Sequence, residues 1–430
     1  MEAQTTEYAT EPVPDDSTVA WFRVAMVAAM VSFSLPTFLT GLELSAVTSP
    51  RETANILLAG SLILTVLGSL TAAIGSSTRL SSYMLNRIAF GSKGAAIVNL
   101  AFAVSLLGWF GVNIDLFSGA AVRLAMDLFG YELPVWLVEL FAGLIMTVTT
   151  FYGFRAINML SALLVPVLMV VTVMLISGSL AEVSLADLLA REGESAISFG
   201  DGVSSVVGAI IVGAVILPDI TRFIRHWRGA VYTIVISYLV VNLTVMAAGA
   251  IAGAALGDSD LLNIMIILGI GWAAFAVVIL GSWVLNSLNL YSTMLSVEST
   301  APGLNYHVLI MVSGALGTFA AFFNILDVFL SFLFYLSIVF VPVAGVIAVD
   351  YLLMRRSAYH EARVDMECEY RGTALASWAV GACVALAGDL GLVTLSGMAA
   401  VDAMLIAALA YYLICKILAR RGPAPIKQGN

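Results

Sequence analysis

The sequence predicts an all-α polytopic membrane protein with twelve transmembrane helices. Of its 430 residues, 61% are hydrophobic and only 11% are charged, and the mean hydropathy is +1.01. Soluble domains carry about 25% charged residues, so the composition excludes that class, together with disordered chains and nucleic-acid-binding surfaces. The three cysteines have unrelated spacings, and we expect them to fill apolar space.

Twelve apolar runs lie between polar breaks, and each is long enough to cross a bilayer, which takes about 20 residues; the longer runs predict tilt or a break. The runs are residues 21–46, 53–76, 95–129, 135–152, 157–179, 199–221, 229–256, 263–297, 306–325, 327–350, 374–391 and 395–418. Between the fifth and sixth runs, the longest outer loop contains Leu185–Ala190, which we predict to be a short surface helix.

Lys and Arg residues give the orientation, because they are retained on the cytoplasmic side. With the N-terminus inside, sixteen of the 19 fall on that side, and only Arg51, Arg123 and Arg191 fall outside. We therefore expect a multi-pass protein of the inner (plasma) membrane with cytoplasmic N- and C-termini. The predicted parts are an N-terminal tail 1–20, helices one to five in 21–179, helices six to ten in 199–350, helices eleven and twelve in 374–418, and a C-terminal tail 419–430.

Polar residues in the first span predict a break in that helix. Pro36 lacks an N–H group, so it frees carbonyl groups in mid-membrane, and Ser32 and Ser34 lie just before it. A bound ion or substrate is one partner for such groups, and Ser34 is a candidate ligand. The alternative is a proline kink that neighbouring hydroxyls satisfy.

The third span carries an aromatic ring beside an amide. Trp109 and Asn113 are four residues apart, which places them on one helix face. A flat heterocycle needs stacking and hydrogen bonds at its edge, so both residues are candidates for substrate binding. The alternative for Trp109 is packing or anchoring at the membrane interface.

The eighth span carries a polar stripe. Ser282, Asn286, Asn289 and Thr293 recur at helical spacing, which predicts the wall of a polar cavity rather than ordinary hydrogen bonding between helices. We expect Asn286 and Asn289 to contact substrate, and Asn286 to matter more.

Two carboxylates, Glu43 and Asp115, lie deepest in the predicted spans. A buried carboxylate that binds a proton is a candidate carrier for coupling, whereas Glu43 could also lie at the outer rim. Other aspartates lie close to span ends, where we expect water to reach them: Asp327, Asp350, Asp389 and Asp402.

Motifs of enzymes and channels are absent from the sequence. There is no metalloprotease, nucleophile-elbow, P-loop or filter-like motif, and the three histidines form no cluster. We expect no enzyme activity, no cofactor and no nucleic-acid partner. A membrane-embedded enzyme or scaffold is the alternative outside transport.

Four segments resemble the cytosine-permease branch of the nucleobase–cation symporter family. In chain order they are residues 11–14 (EPVP), 86–94 (NRIAFGSKG), 108–112 (GWFGV) and 342–356 (PVAGVIAVDYLLMRR). The resemblance implies a leucine-transporter-type fold, in which helices 1–5 and 6–10 form inverted repeats and helices 1 and 6 are broken at the site. It also implies alternating-access uptake of a nucleobase that stacks on Trp109.

The sequence departs from that family at its substrate and sodium positions. Leu106 stands where the cytosine transporters have glutamine. Ile210 lies where they have an aromatic ring between serines, so we expect it to contact substrate as well. Val284 and Leu285 replace the two hydroxyls that hold sodium, and an alkyl group cannot coordinate a hard cation. We therefore predict no sodium at the usual site and a substrate other than cytosine, with a proton as the remaining coupling ion.

The sequence thus predicts a secondary transporter of a small nucleobase-like heterocycle in the lipid bilayer. The alternative within transport is a proton-coupled or uncoupled carrier of another, more apolar solute.

Overall fold

The computed structural model describes residues 11–151, 153–193, 195–300, 304–361 and 368–420, and it is all-α as predicted. Its first helices are α1 (Trp21–Ser32), α2 (Leu35–Val47), α3 (Pro50–Thr78), α4 (Ser82–Phe90), α5 (Ser92–Phe129), α6 (Val135–Phe151), α7 (Gly153–Glu182) and α8 (Leu185–Ala190). The helices that follow are α9 (Phe199–Ile216), α10 (Pro218–Thr221), α11 (Trp227–Leu256), α12 (Leu261–Ile267), α13 (Gly271–Thr300), α14 (Tyr306–Ala321), α15 (Phe329–Val349), α16 (Arg356–His360), α17 (Gly372–Asp389) and α18 (Ala399–Arg420).

Many of these helices are suited to crossing a bilayer. Within the described residues, eight helices are long and apolar enough, and the pair α1–α2, bent by 48°, makes a ninth span. Two shorter apolar helices, α6 and α14, and the 30-residue α13 are further candidates, which is consistent with the predicted twelve. The outer ends of the predicted tails, residues 1–10 and 421–430, lie outside the described residues.

Most predicted spans coincide with one helix, but residues 263–297 do not. This run contains the end of α12 and most of α13, separated by a turn at Gly269 with φ of +74°. The Asp260 carboxylate caps α12 by accepting hydrogen bonds from the N–H groups of Leu262 and Asn263. Hydropathy cannot reveal this turn, because the residues around Gly269 are apolar. The short helix α8 has the predicted bounds, and Ser184 caps it.

Glycines allow α2 and α11 to cross in close contact. A Cβ atom on Gly41 would overlap the carbonyl oxygen of Met246, and one on Gly249 would overlap that of Phe38. The centre of α11 is a π-helical segment, Val235–Asn242, which packs against α1 and α3. The broken first span is therefore held against the bundle by backbone approach as well as by side chains.

The last two helices lie at the periphery. Helices α17 and α18 pack on each other and on α15, but only 22% of each apolar window is buried, compared with 78% for Ile325–Met354. The rest of their apolar surface faces outward, as lipid-facing helices require.

Two aspartates that we expected at hydrated span ends are buried. Asp350 is fully buried and accepts hydrogen bonds from Arg355, Tyr359 and Tyr411. Asp402 accepts hydrogen bonds from the loop that precedes α18. The expectation for these two was wrong, because partners from other segments replace the water.

Candidate functional site

The first span breaks where the sequence predicts. α1 ends at Ser32, α2 begins at Leu35, and Ser34 between them is extended, with φ of −112° and ψ of 154°. Pro36 cannot donate to the Ser32 carbonyl, which lies four residues earlier. The hydroxyls of Ser34 and Thr37 hydrogen-bond each other at 2.9 Å.

A cavity of about 90 Å³ lies beside this break. It is enclosed by the break and by helices α5, α9 and α13. Its lining residues are Val31, Ser34, Pro36, Thr37, Leu106, Trp109, Ala209, Ile210, Val212, Gly213, Ile216, Leu285, Leu288, Asn289 and Ser292. Four of the six residues that we expected to bind substrate are among them: Ser34, Trp109, Ile210 and Asn289.

Trp109 is 8% exposed, and neighbouring rings hold it in place. It makes edge-to-face contacts with Phe329 and Phe332, at centroid distances of 6.1 and 5.3 Å. Asn113 lies one turn further along α5 and is fully buried outside the lining. Its amide donates to the Trp109 carbonyl at 2.8 Å, so the structure separates the two residues that we expected to act together.

The two asparagines of α13 have different surroundings. Asn289 lines the cavity, whereas Asn286 is fully buried behind the wall. The Asn286 amide donates to the Phe110 carbonyl at 2.8 Å, and its oxygen accepts from Asn289 at 3.4 Å. This geometry favours Asn289 over Asn286 as the residue that contacts a solute, because the Asn286 side chain is buried outside the lining.

Sequence reasoning missed Thr37 and Ser292, which add hydroxyls to the cavity wall. A signal was available, because Thr37 lies three residues after Ser34 and Ser292 three residues after Asn289. That spacing repeats a helix face. The polar groups of the cavity therefore lie on the break and on α13.

The opposite wall of the cavity is formed by α9, which contributes no polar side chain and is helical throughout. Helix α9 continues unbroken past Ile210 to Ile216, and its interruption lies at Leu217, before Pro218. The second broken helix that the resemblance implies is thus interrupted next to Ile216, at the end of the lining, and not at residues 209–212. Residues 209–212 contain neither proline nor glycine, and Gly208 serves close packing, since a Cβ there would overlap the Leu333 carbonyl oxygen.

Alkyl side chains occupy the two positions that the resemblance assigns to sodium ligands. Val284 is 2% exposed and belongs to the same apolar cluster as Met30 and Phe33, which flank the break. Leu285 lines the cavity. Within the described part of the chain, no three His, Cys, Asp or Glu residues group as metal ligands.

The two carboxylates proposed for coupling are also separated. Glu43 is partly exposed on α2 and lines neither of the two cavities described here. Asp115 lies six residues after Trp109 and lines a second cavity. Asp115 is therefore the one of the two that borders an internal space.

The family model "Permease for cytosine/purines, uracil, thiamine, allantoin" matches residues 12–413. Among characterised proteins, the cytosine permease of Escherichia coli strain K12 is 29% identical over 428 residues, which cover 98% of this chain and 97% of that protein. The hydantoin permease of Microbacterium maritypicum is 25% identical over 378 residues, covering 82% and 75% respectively.

Solved structures show the same fold. Mhp1, a nucleobase-cation-symport-1 family transporter in a closed conformation with bromovinylhydantoin bound, matches with a TM-score of 0.80 at 22% identity, over 96% of each chain. A Na⁺-coupled sialic acid symporter matches with a TM-score of 0.68 at 12% identity, over 100% of this chain and 94% of the other. At these identities the likeness establishes the fold alone.

Proposed function

Because the chain belongs to the family of permeases for cytosine/purines, uracil, thiamine and allantoin, we propose that the cavity at the helix break binds the transported solute. The protein is a multi-pass secondary transporter of nucleobase-like substrates. The observation that supports this site most directly is Trp109, which lines a small cavity beside freed backbone groups in mid-membrane.

The lining indicates a small planar solute with one polar edge. Trp109 offers a surface for stacking, and Ser34 and Asn289 offer hydrogen bonds on one side. Leu106 and Ile210 offer only alkyl groups on the other, so a polar substituent there would lose its hydrogen bonds to water. A volume of about 90 Å³ suits a single ring. We propose a monocyclic heterocycle with an apolar far edge, rather than cytosine.

We further propose that transport proceeds by alternating access without sodium at the helix-8 position. Residues 21–179 and 199–350 would form the two inverted repeats, and 374–418 the peripheral helices. Val284 and Leu285 offer no oxygen ligand, so a proton on Asp115 or Glu43, or no ion, remains for coupling. The membrane would be the inner (plasma) membrane, with both termini cytoplasmic.

The test is uptake of radiolabelled heterocycles by transport-deficient cells that express the protein. The panel contains cytosine, uracil, hydantoin, their alkylated derivatives and an unrelated amino acid. Saturable uptake of one heterocycle is the expected result. Saturable uptake of the amino acid alone would favour the carrier of another solute, and no uptake by a protein present at the cell surface would favour an enzyme or scaffold.

A further inference from the structure

With the cytoplasmic termini proposed above, a second cavity, of about 330 Å³, lies on the outer side of the substrate cavity. It is bounded by the start of α2, the outer half of α5, the turn before α12, and α13. Its lining residues are Leu35, Leu39, Asp115, Leu116, Gly119, Ala120, Arg123, Ser259, Asp260, Leu261, Leu262, Val278 and Leu326. The two cavities share no lining residue. At the start of α2, Leu35 lines the second cavity, whereas Ser34 and Thr37 line the substrate cavity.

Asp115 is an unpaired acid in the wall of this outer cavity. Both of its carboxylate oxygens are buried, and neither has a hydrogen-bond partner among the residues that the structure describes. A buried carboxylate without partners is costly, so it is retained where a proton or a donor from outside the protein completes it. Asp115 lines the cavity, and contact between its oxygens and a solute there requires a change of its side-chain rotamer.

The cation of the same cavity is already engaged elsewhere. Arg123 donates to the Asp260 carboxylate at 2.6 Å and to the Asn263 side-chain oxygen at 3.0 Å. These bonds tie α5 to α12 at the outer end of the cavity. Arg123 is therefore held by other groups, and the acceptor on Asp115 stays free.

We propose that the outer cavity is a separate docking site, in which Asp115 accepts hydrogen bonds from the N–H edge of a heterocycle before it enters the inner cavity. The reading of this ligand as the transported solute rests on the proposed function. A carboxylate oxygen accepts a hydrogen bond from an N–H group at a base edge, in the way that Asp and Glu accept from the amino group of cytosine in DNA. The leucines around Asp115 suit the flat faces of such a ring. Six residues of α5, about 9 Å of helix, separate Asp115 from Trp109, so a solute passes from one site to the other.

The structure provides a reporter position for this site. Gly119 lines the outer cavity, and a Cβ atom placed there meets no other atom within 4 Å. A Gly119→Cys variant in which Cys368, Cys383 and Cys415 are replaced by alanine would carry one thiol. The experiment measures the rate at which the membrane-impermeant reagent MTSET labels this thiol from outside, in the full chain in cells. The probes are uracil, which has two N–H groups, and 1,3-dimethyluracil, which has none.

Uracil should slow labelling in a saturable manner, and 1,3-dimethyluracil should not. Asp115→Leu, which removes the acceptor and the burial cost of its charge, should abolish the protection. Trp109→Ala should retain the protection, although this variant loses transport.

Protection that survives in Asp115→Leu would overturn the proposal. Protection that disappears in Trp109→Ala would also overturn it, because the protection would then come from the inner site. Absence of labelling would show that the cavity is closed to the outside, and it too would overturn the proposal. Protection without uptake of any heterocycle would contradict only the proposed function.

Discussion

Single side chains of the substrate cavity have large expected effects, because the cavity has few polar groups to compensate for a loss. Trp109→Ala should abolish saturable uptake at substrate concentrations near the wild-type KM. Base–aromatic stacking is worth about 1–3 kcal/mol per base, which corresponds to roughly one to two orders of magnitude in affinity. The measurement is concentration-dependent uptake, normalised to protein at the cell surface. Trp136→Ala is the matched control, because Trp136 is 56% exposed on α6 and lines neither cavity. An unchanged KM in Trp109→Ala would show that this ring only packs.

The two asparagines of α13 should differ in the kind of loss they cause. Asn289→Leu should raise KM roughly three- to tenfold with little change in stability, since one hydrogen bond is worth about 0.5–1.5 kcal/mol. Asn286→Leu should instead lower the thermal stability of the purified protein, because the buried Phe110 carbonyl loses its donor. Uptake kinetics and melting in detergent separate the two effects. A larger rise in KM for Asn286→Leu than for Asn289→Leu would restore the order that the sequence predicts.

Sequence patterns identified residues of the site where local spacing determines their position. The break at Ser34 and the ring of Trp109 follow from Pro36 and from a helix face, and the structure places both at one cavity. Asn113 and Asn286 carry the same pattern but lie behind the wall, because their amides donate to backbone carbonyls. The neighbouring helices determine which side of a membrane helix faces a cavity. The periodicity of one helix carries no information about those neighbours.

At the scale of elements, the crossing of α2 and α11 depends on glycine. Gly41→Ala should strongly reduce the yield of folded protein, since its Cβ would overlap the Met246 carbonyl oxygen and the backbones would have to separate. Gly281→Ala is the control in another helix, because its Cβ meets nothing within 4 Å. That change should be neutral or stabilise by up to about 1 kcal/mol through helix propensity. For both variants, size-exclusion chromatography measures the yield of monodisperse protein. Normal yields of Gly41→Ala would mean that the helices are not in close contact.

The ends of elements were predictable where polar or capping residues mark them. Helix α8 has the bounds that the sequence predicts, with Ser184 as its cap. The division of residues 263–297 into α12 and α13 was not predictable, because only Gly269 and Gly271 mark a turn inside an apolar run. The interruption after α9 lies at Leu217, before Pro218, whereas residues 209–212, which contain neither proline nor glycine, are helical. A break in a helix is therefore predictable where a proline marks it.

At the scale of the whole molecule, the fold is retained while alkyl groups stand where the resemblance assigns sodium ligands. The overall fold follows that of Mhp1 over 96% of the chain, and the residues at those assigned positions are Val284 and Leu285. The architecture therefore does not determine the coupling ion. That distinction makes sodium dependence the most informative property of the reconstituted protein.

The most direct test is entrance counterflow in proteoliposomes, with the heterocycle that gives saturable uptake in cells. Counterflow requires a transporter with a binding site, but it does not require an ion gradient. It therefore tests whether the protein transports a heterocycle without assuming which ion is coupled. We predict saturable counterflow that is lost in Trp109→Ala and is unchanged when choline replaces sodium on both sides. Counterflow that requires sodium, or none with any heterocycle of the panel, would contradict this account.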